Sequence, residues 1–436
     1  MKTTNFKSVA TLLTLLFIFS VKAQVINPGS VLKRKVNDRI NNKIDNTIDK
    51  GLDDAEAAAK KKKSDSIAKA AAGTTENSTT DNANKEATFK TYTKYDFISG
   101  EKVKSIEDFS QDALGDFPGK WNTNSSGEIV NLEGRTGKWL QISKQGVFMP
   151  EFVTELPENF TYEFDLAVNP QFSFYSTELS IDFCALKTPD NYTDWMQYSG
   201  NRTGLELKLH PTSAGNNSGR SQINYFSSTT HQATIDNNVA VNQLSAFDNR
   251  TVVHVAVWRQ GQRVRVYINE EKIWDLPRAF EKLIKYNAIV FSLGNMHEPN
   301  DRYLISNLKL AIGAPDTRNK LITEGKYVSR GILFDVNSAT IKPESYGALK
   351  EIANVLKENP TVKIKIVGHT DSDGDDKANL ELSKKRAQAV KDMLIKEFGI
   401  DASRMETDGK GESVPAETNT TVEAKANNRR VEFIKL

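Results

Sequence analysis

Residues 362–387 read VKIKIVGHTDSDGDDKANLELSKKRA, and a change of hydrophobic period inside this stretch decides the fold of the C-terminal part of the chain. Residues 362–367 alternate apolar and charged side chains with period two, as a strand with one buried face does. Residues 379–398 instead carry a helical period, with Leu382, Ala387, Val390 and Met393 on one side. Between strand and helix lie Gly368-His369-Thr370-Asp371 and an acidic loop, residues 372–377. Asp371 thus ends a strand, while Asn379 and Arg386 lie in the opening part of the following helix, a spacing that predicts convergence of Asp371 and Arg386 on one pocket. A carboxylate beside a guanidinium suits a zwitterion: Arg holds a carboxylate bidentately and Asp pairs with an ammonium. The helix N-terminus adds backbone donors for the same carboxylate. The competing reading is an ion pair between Asp371 and Arg386, with Leu382, Ser383 and Ala387 serving only to pack or cap the helix.

The flanking sequence extends this pattern. Residues 330–334 read as a strand, and Pro343 opens a helix with Leu349, Ile352, Ala353 and Leu356 on one face. Residues 404–407 and 430–435 read as closing strands. Residues 328–436 are therefore expected to form an α/β domain with helices on one face of a sheet.

Three separated blocks share an order and a spacing. Gly368 to Ala387 fits GHTDxxGxxxxNxxLSxxRA, Phe334-Asp335-x-x-Ser338-Ala339-Thr340-Ile341 stands upstream, and Asn428-Arg429-Arg430-Val431 stands downstream. With these blocks the C-terminal region resembles the OmpA C-terminal, peptidoglycan-associated family. The resemblance implies non-covalent binding of peptidoglycan without chemistry or cofactor. In it Asp371 and Arg386 match the principal ligands of the diaminopimelate in a stem peptide, Asn379 and Arg429 match further pocket positions, and Thr370 orients the loop. Asp373, Asp375 and Asp376 make that loop acidic enough to invite a cation, but they read as a solvated loop and no metal is assigned.

Residues 94–314 change character, to short alternating strands broken by Gly, Pro, Asn and Asp. The clearest pair is 252–258 (VVHVAVW) with 263–268 (RVRVYI), joined by a turn containing Gly261; further strands are expected at 162–168, 179–185, 205–210, 288–293 and 305–312. Many short strands with almost no helical period indicate a β-sandwich or barrel. Asp108-Phe109-Ser110, Pro118-x-x-Trp121 and the hairpin ending at Leu276 give the region a resemblance to concanavalin-A-like jelly rolls, many of which bind glycans and some of which hydrolyse them. Hydrolysis needs two flanking carboxylates. Glu163-Phe164-Asp165 begins an E-x-D pattern, but Ala167 and Val168 stand where its second Glu would be, and Glu178 and Asp182 have no third acid at the needed spacing. The domain therefore reads as non-catalytic. Trp121, Trp139, Trp258 and Trp274 read mostly as core, whereas Trp195 and Tyr198, in a polar loop, are the sugar-stacking candidates. His210, His231, His254 and His297 show no metal-ligand spacing.

The N-terminal part is different again. Lys2 and Lys7 precede the apolar run 9–21, and Val21-Lys22-Ala23 predicts cleavage of a signal peptide, residues 1–23, before Gln24. No Cys follows, so a lipoprotein anchor is not expected. Within 24–92, Leu32, Val36, Ile40, Ile44, Ile48 and Leu52 form an apolar stripe on an amphipathic helix, a surface for a homo-oligomer, a partner or a membrane. A flexible linker follows, including the Gly/Thr/Asn/Ser-rich run 73–84. The balance of 58 Lys and Arg against 56 Asp and Glu leaves a net charge of +2, with no general attraction to nucleic acid. The single cysteine, Cys184, has no internal disulfide partner and reads as a small core residue.

The whole is thus expected to be multidomain: an N-terminal amphipathic helix and linker, a jelly-roll-like β-sandwich and an α/β OmpA-like domain. Such a protein would lie in the periplasm or on the outer membrane, tethering the envelope or a glycan-binding module to the wall. Alternatives are an envelope lectin or glycan hydrolase working through the sandwich, or an outer-membrane barrel. Barrel strands need ~9–11 residues and a lipid-facing apolar band.

Overall fold

The computed structural model describes residues 95–196, 202–215, 218–227, 233–314 and 316–436. The expected signal peptide, amphipathic helix and linker, and the stacking candidate Tyr198, lie outside the described residues. The middle region contains β1 (Lys102–Glu107), β2 (Trp121–Thr123), β3 (Gly127–Asn131), β4 (Lys138–Ile142), β5 (Gly146–Pro150), β6 (Asn159–Val168), β7 (Leu179–Cys184), β8 (Gly204–His210), β9 (Gly219–Phe226), β10 (Ala233–Val241), β11 (Val252–Gln260), β12 (Arg263–Ile268), β13 (Glu271–Leu276), β14 (Ala288–Leu293) and β15 (Tyr303–Ile312). One sheet runs β13-β12-β11-β6-β15-β4-β3, with β1 also paired to β15; the other runs β10-β9-β8-β7-β14-β5-β2. These are two open sheets, not one closed sheet, so the described strands do not form the barrel weighed above.

The alternation read in the sequence sets which side chains face inward. Val253, Val255 and Val257 of β11 and Val264, Val266 and Ile268 of β12 join Ile181, Phe183, Leu205 and Leu207 of the facing sheet in one core. The β11–β12 hairpin pairs Gln260 with Arg263 across a two-residue turn. Gly261 opens that turn at φ +59°, a conformation glycine adopts without penalty. Cys184 is buried and free.

The C-terminal domain comprises β16 (Lys326–Ser329), α1 (Tyr346–Glu358), β17 (Ile364–His369), α2 (Asp376–Lys396), β18 (Met405–Gly411), α3 (Val422–Asn428) and β19 (Val431–Lys435). Its sheet runs β16-β19-β17-β18, with β17 and β18 parallel. The strand expected at 330–334 lies four residues earlier. Lys326–Ser329 pairs with β19, and the chain then leaves the sheet because Leu333 bonds instead to Ser345 and Lys342 at the entry to α1. The short α3, capped by the Thr421 side chain, was not anticipated.

Two features lock this domain in place. A Cβ on Gly368 would stand 2.2 Å from the Ser383 carbonyl oxygen, and one on Gly409 would stand 2.4 Å from the Ser383 hydroxyl. Helix α2 thus sits directly on two bare strand positions. The domain also shares a core with the sandwich. Ala256, Trp258 and Tyr267, on the outer face of β11 and β12, pack with Tyr95 and Phe97 in the same cluster as Leu349, Ile352 and Val390.

Overpacking a closed contact of this kind costs ~1–3 kcal/mol. Gly368→Ala should therefore lower the melting temperature of the full chain by several degrees. Gly331→Ala, where the nearest atom would be 3.5 Å from the new Cβ, should leave it within a degree or two. Calorimetric melts of the two variants check this, and equal melting temperatures would refute the close-approach reading.

Candidate functional site

The candidate site forms where β17 ends. Gly368 and His369 complete the strand, the backbone of Thr370 bonds to the Gly411 carbonyl, and Asp371 begins the loop. Asp375 caps α2 by accepting from the Ala378 amide at 3.0 Å. Asp373 pairs with Lys425 at 2.6 Å. Two of the three loop acids named above are therefore engaged within the protein, and no cluster of metal-ligating side chains exists among the described residues.

The structure brings Asp371 within electrostatic reach of Arg386 but does not pair the two. Asp371 is buried and its carboxylate accepts from Arg429. The Arg386 guanidinium donates to the carbonyl oxygens of Ser338 (2.9 Å) and Asp335 (3.4 Å) and lies 4.9 Å from the centre of the Phe334 ring. Burial lowers the Arg386 pKa, the Asp371 carboxylate opposes that shift, and Arg429 adds to it. The upstream block thus holds the arginine, the downstream block holds the aspartate, and the two charged groups have separate hydrogen-bond partners. Asn379, assigned to the pocket from the sequence, faces the loop: its amide donates to Glu412 (2.7 Å) and to the carbonyl oxygens of Asp373 and Asp371 (3.1 and 3.4 Å). Its observed bonds fix the loop. The Thr370 hydroxyl is buried without a hydrogen-bond partner.

Arg386 and Arg429 line a cavity of about 160 Å³. His369 lines it too, 4% exposed, with neither ring nitrogen hydrogen-bonded and Nε2 3.6 Å from Glu432. His369 stood inside the quoted motif but was not singled out, because a histidine in a strand gives no local sign of which way its ring faces.

Residues 333–429 match the OmpA family, so the C-terminal domain is an OmpA-like domain joined to a sheet-rich middle region. Among curated relatives, Probable lipoprotein YiaD of Escherichia coli is 46% identical over 102 residues, 23% of this chain and 46% of the relative. Outer membrane porin F of Pseudomonas aeruginosa is 40% identical over 111 residues, 26% of this chain and 32% of the relative. Peptidoglycan-binding protein ArfA of Mycobacterium bovis is 36% identical over 103 residues, 24% and 31% of the two chains. The chain thus spans between just under a third and just under half of these relatives' length. The solved peptidoglycan-associated lipoprotein from Burkholderia pseudomallei aligns at 27% identity over 28% of this chain and 98% of its own, with a TM-score of 0.24.

In the sandwich the structure removes the stacking candidate Trp195, which is 1% exposed and packs in a cluster with Cys184 and Phe226. Trp121, Trp139, Trp258 and Trp274 are buried as well. The acids of the E-x-D pattern are engaged: Glu163 with Lys309 at 2.8 Å and Asp165 with His254 at 2.8 Å. Glu178 pairs with Arg220. One arrangement leaves no local sign in the residues, because it arises across strands: β7 and β8 set Asp182 directly opposite Glu206. Both are buried, Asp182 accepting from Ser292 at 2.7 Å and Glu206 from Asn224 at 2.7 Å.

Burial, and then the neighbouring Glu206, push the Asp182 carboxyl well above the usual carboxylate range. A native carboxyl that holds its proton more tightly than the unfolded one loses stability as pH rises above the ordinary Asp value of about 4. Asp182→Asn keeps an acceptor for Ser292 and cannot ionise. The melting temperature of D182N relative to wild type should therefore climb between pH 4 and pH 7, as read by thermal melts across that range. A flat or falling difference would contradict a protonated Asp182.

Proposed function

We propose that the chain is a non-catalytic cell-envelope protein that binds peptidoglycan through its C-terminal domain and tethers the sandwich to the wall. One observation carries the reading: in an OmpA-like domain, separate motif blocks hold Arg386 and Asp371 at one site while keeping them unpaired with each other. Arg386 has only backbone carbonyls as hydrogen-bond acceptors, so it can take a ligand carboxylate bidentately. The Asp371 carboxylate, shared with Arg429, takes the ammonium of the same amino-acid centre. A diaminopimelate side chain in a stem peptide presents that pair of groups. Thr370 offers a buried, unpartnered hydroxyl beside them, and Asn379 holds the loop that carries Asp371. The name of the M. bovis relative, a peptidoglycan-binding protein, supports peptidoglycan as the ligand, and those of the P. aeruginosa and E. coli relatives, an outer membrane porin and a lipoprotein, support a place in the outer envelope.

The middle region, on this reading, is a concanavalin-A-like jelly roll that acts as a scaffold. Its two antiparallel sheets over one core support that assignment. Among the described residues no helix is long and apolar enough to cross a membrane.

Losing one hydrogen-bonded charge in such a site costs ~2–3 kcal/mol, roughly thirtyfold or more in affinity. Asp371→Ala and Arg386→Ala in the full chain should each abolish sedimentation with purified diaminopimelate-type sacculi while leaving the far-ultraviolet spectrum unchanged. Undiminished co-sedimentation of both variants would sink the proposal.

A further inference from the structure

The cavity at Arg386 is not enclosed by the OmpA-like domain alone. Val103 and Ile106 of β1 and Lys309 of β15, all from the sandwich, form part of its lining. These residues are held there by named contacts. Ile106 pairs with Lys309 in the β1–β15 register. Across the seam the buried Asn427 of α3 bonds Val103 twice, its oxygen accepting from the Val103 amide and its nitrogen donating to the Val103 carbonyl, both at 3.0 Å. Asn427 thereby extends the edge of β1 as another strand would. Arg330 crosses the same seam, donating to the Glu101 and Asn427 carbonyls.

The charged residues lining this cavity are all cationic: Lys309, Arg330, Arg386, Arg429 and Arg430. Behind the lining Lys309 is paired with Glu163 at 2.8 Å, Arg429 with Asp371 and Arg430 with Glu432 at 2.9 Å. The hydrogen-bond acceptors of Arg330 and Arg386 are backbone carbonyls, which hold a guanidinium without neutralising it. His369, buried with both ring nitrogens unbonded, completes the lining. Cationic groups converging in a low-dielectric crevice raise the potential felt by an anion well above that of one exposed arginine.

We infer that the sandwich supplies one wall of the wall-ligand site, with Lys309 as a specificity residue for a second carboxylate of the stem peptide, beyond the one held by Arg386. This inference rests on the peptidoglycan reading above. It makes the bound peptide lie in the seam between the two domains, with an aliphatic stretch against Val103 and Ile106 and an anionic end toward Lys309. The site then belongs to the pair of domains, and the sandwich takes part in choosing the ligand.

The test uses the full chain and a soluble disaccharide–tripeptide muropeptide ending in diaminopimelate, with affinity read by calorimetry. Ile106→Glu places a negative charge on the cavity wall and should weaken binding about tenfold, whereas Ile106→Gln, of the same shape without the charge, should stay within about twofold of wild type. Lys309→Met is combined with Glu163→Gln, so that no buried carboxylate is left unpaired, and should also weaken binding about tenfold. Should that double variant not fold, the Ile106 pair decides alone. Arg386→Ala separates the two readings. Loss of binding in R386A with wild-type affinity in I106E overturns the composite wall and leaves the peptidoglycan reading standing. Retained binding in R386A overturns the peptidoglycan reading itself. Equal losses in I106E and I106Q would show a packing effect and would likewise overturn the assignment of a carboxylate to this wall.

Discussion

The site depends on how closely α2 approaches the sheet beneath it. Gly368 and Gly409 leave two adjacent strands bare, and Ser383 settles onto both. Its hydroxyl accepts from the Gly411 amide at 2.9 Å and donates to the Leu380 carbonyl at 2.7 Å. Any side chain at either glycine would lift the helix. Arg386 is three residues further along α2, so its guanidinium reaches the Ser338 carbonyl only because the helix is seated at that depth. The same seating brings Asn379 to the loop it holds. The close seating of Ser383 on two glycines thus sets a cationic head and an acidic loop at the same end of the sheet, with no direct bond between Arg386 and Asp371.

That rigidity continues into the sandwich. Trp258 and Tyr267 face outward from their own sheet, where water would be expected, and are buried by the C-terminal domain and by the strap of residues 95–98. Inter-domain contacts within a chain are usually polar and mobile; here an aromatic core and the Asn427–Val103 bonds join the two parts. On the proposed reading, a ligand held at the cavity would fix the orientation of the sandwich as well as its location. A flexible tether would fix only the location.

Much of this was legible in the residues because local period and motif spacing are one-dimensional signals. Residues 263–268 and 288–293 emerged with the bounds expected. The three motif blocks meet at one site, because each supplies a different part of it: one grips Arg386, one carries Asp371, one pairs with Asp371. What the sequence did not reveal is what depends on registry between distant segments. The opposition of Asp182 and Glu206 exists only once β7 and β8 are paired. The burial of Trp195 follows from its packing beside Cys184 and Phe226, whereas its polar neighbours suggest a surface loop. The strand expected at 330–334 failed for a related reason: its apolar residues are used at the entry to α1, and the ladder with β19 falls on the four residues before them. The role of Lys309 carried no local sign, since nothing near it in the sequence resembles the domain it faces.

Lys309 reaches the seam within a small charge network, and the network explains why it stays fixed there. Burial alone would raise the Glu163 pKa, but Lys309 and His254 bring it down to about 2. Burial alone would lower that of His254, but Asp165 and Glu163 hold it at about 9. A depressed carboxylate stabilises the fold above its ordinary value of 4.5 and loses that contribution as pH falls toward 2; a raised histidine stabilises it below 6.5 and loses that contribution as pH rises through 9. Both contributions are complete between about pH 4.5 and 6.5 and only partly eroded at neutrality. Within that range Glu163 remains an anion that pins the Lys309 ammonium, while His254 offsets the second acid, Asp165. The sandwich therefore presents its lysine to the seam as a fixed charge, which is what a recognition element requires and what a lysine free to sample solvent would not provide.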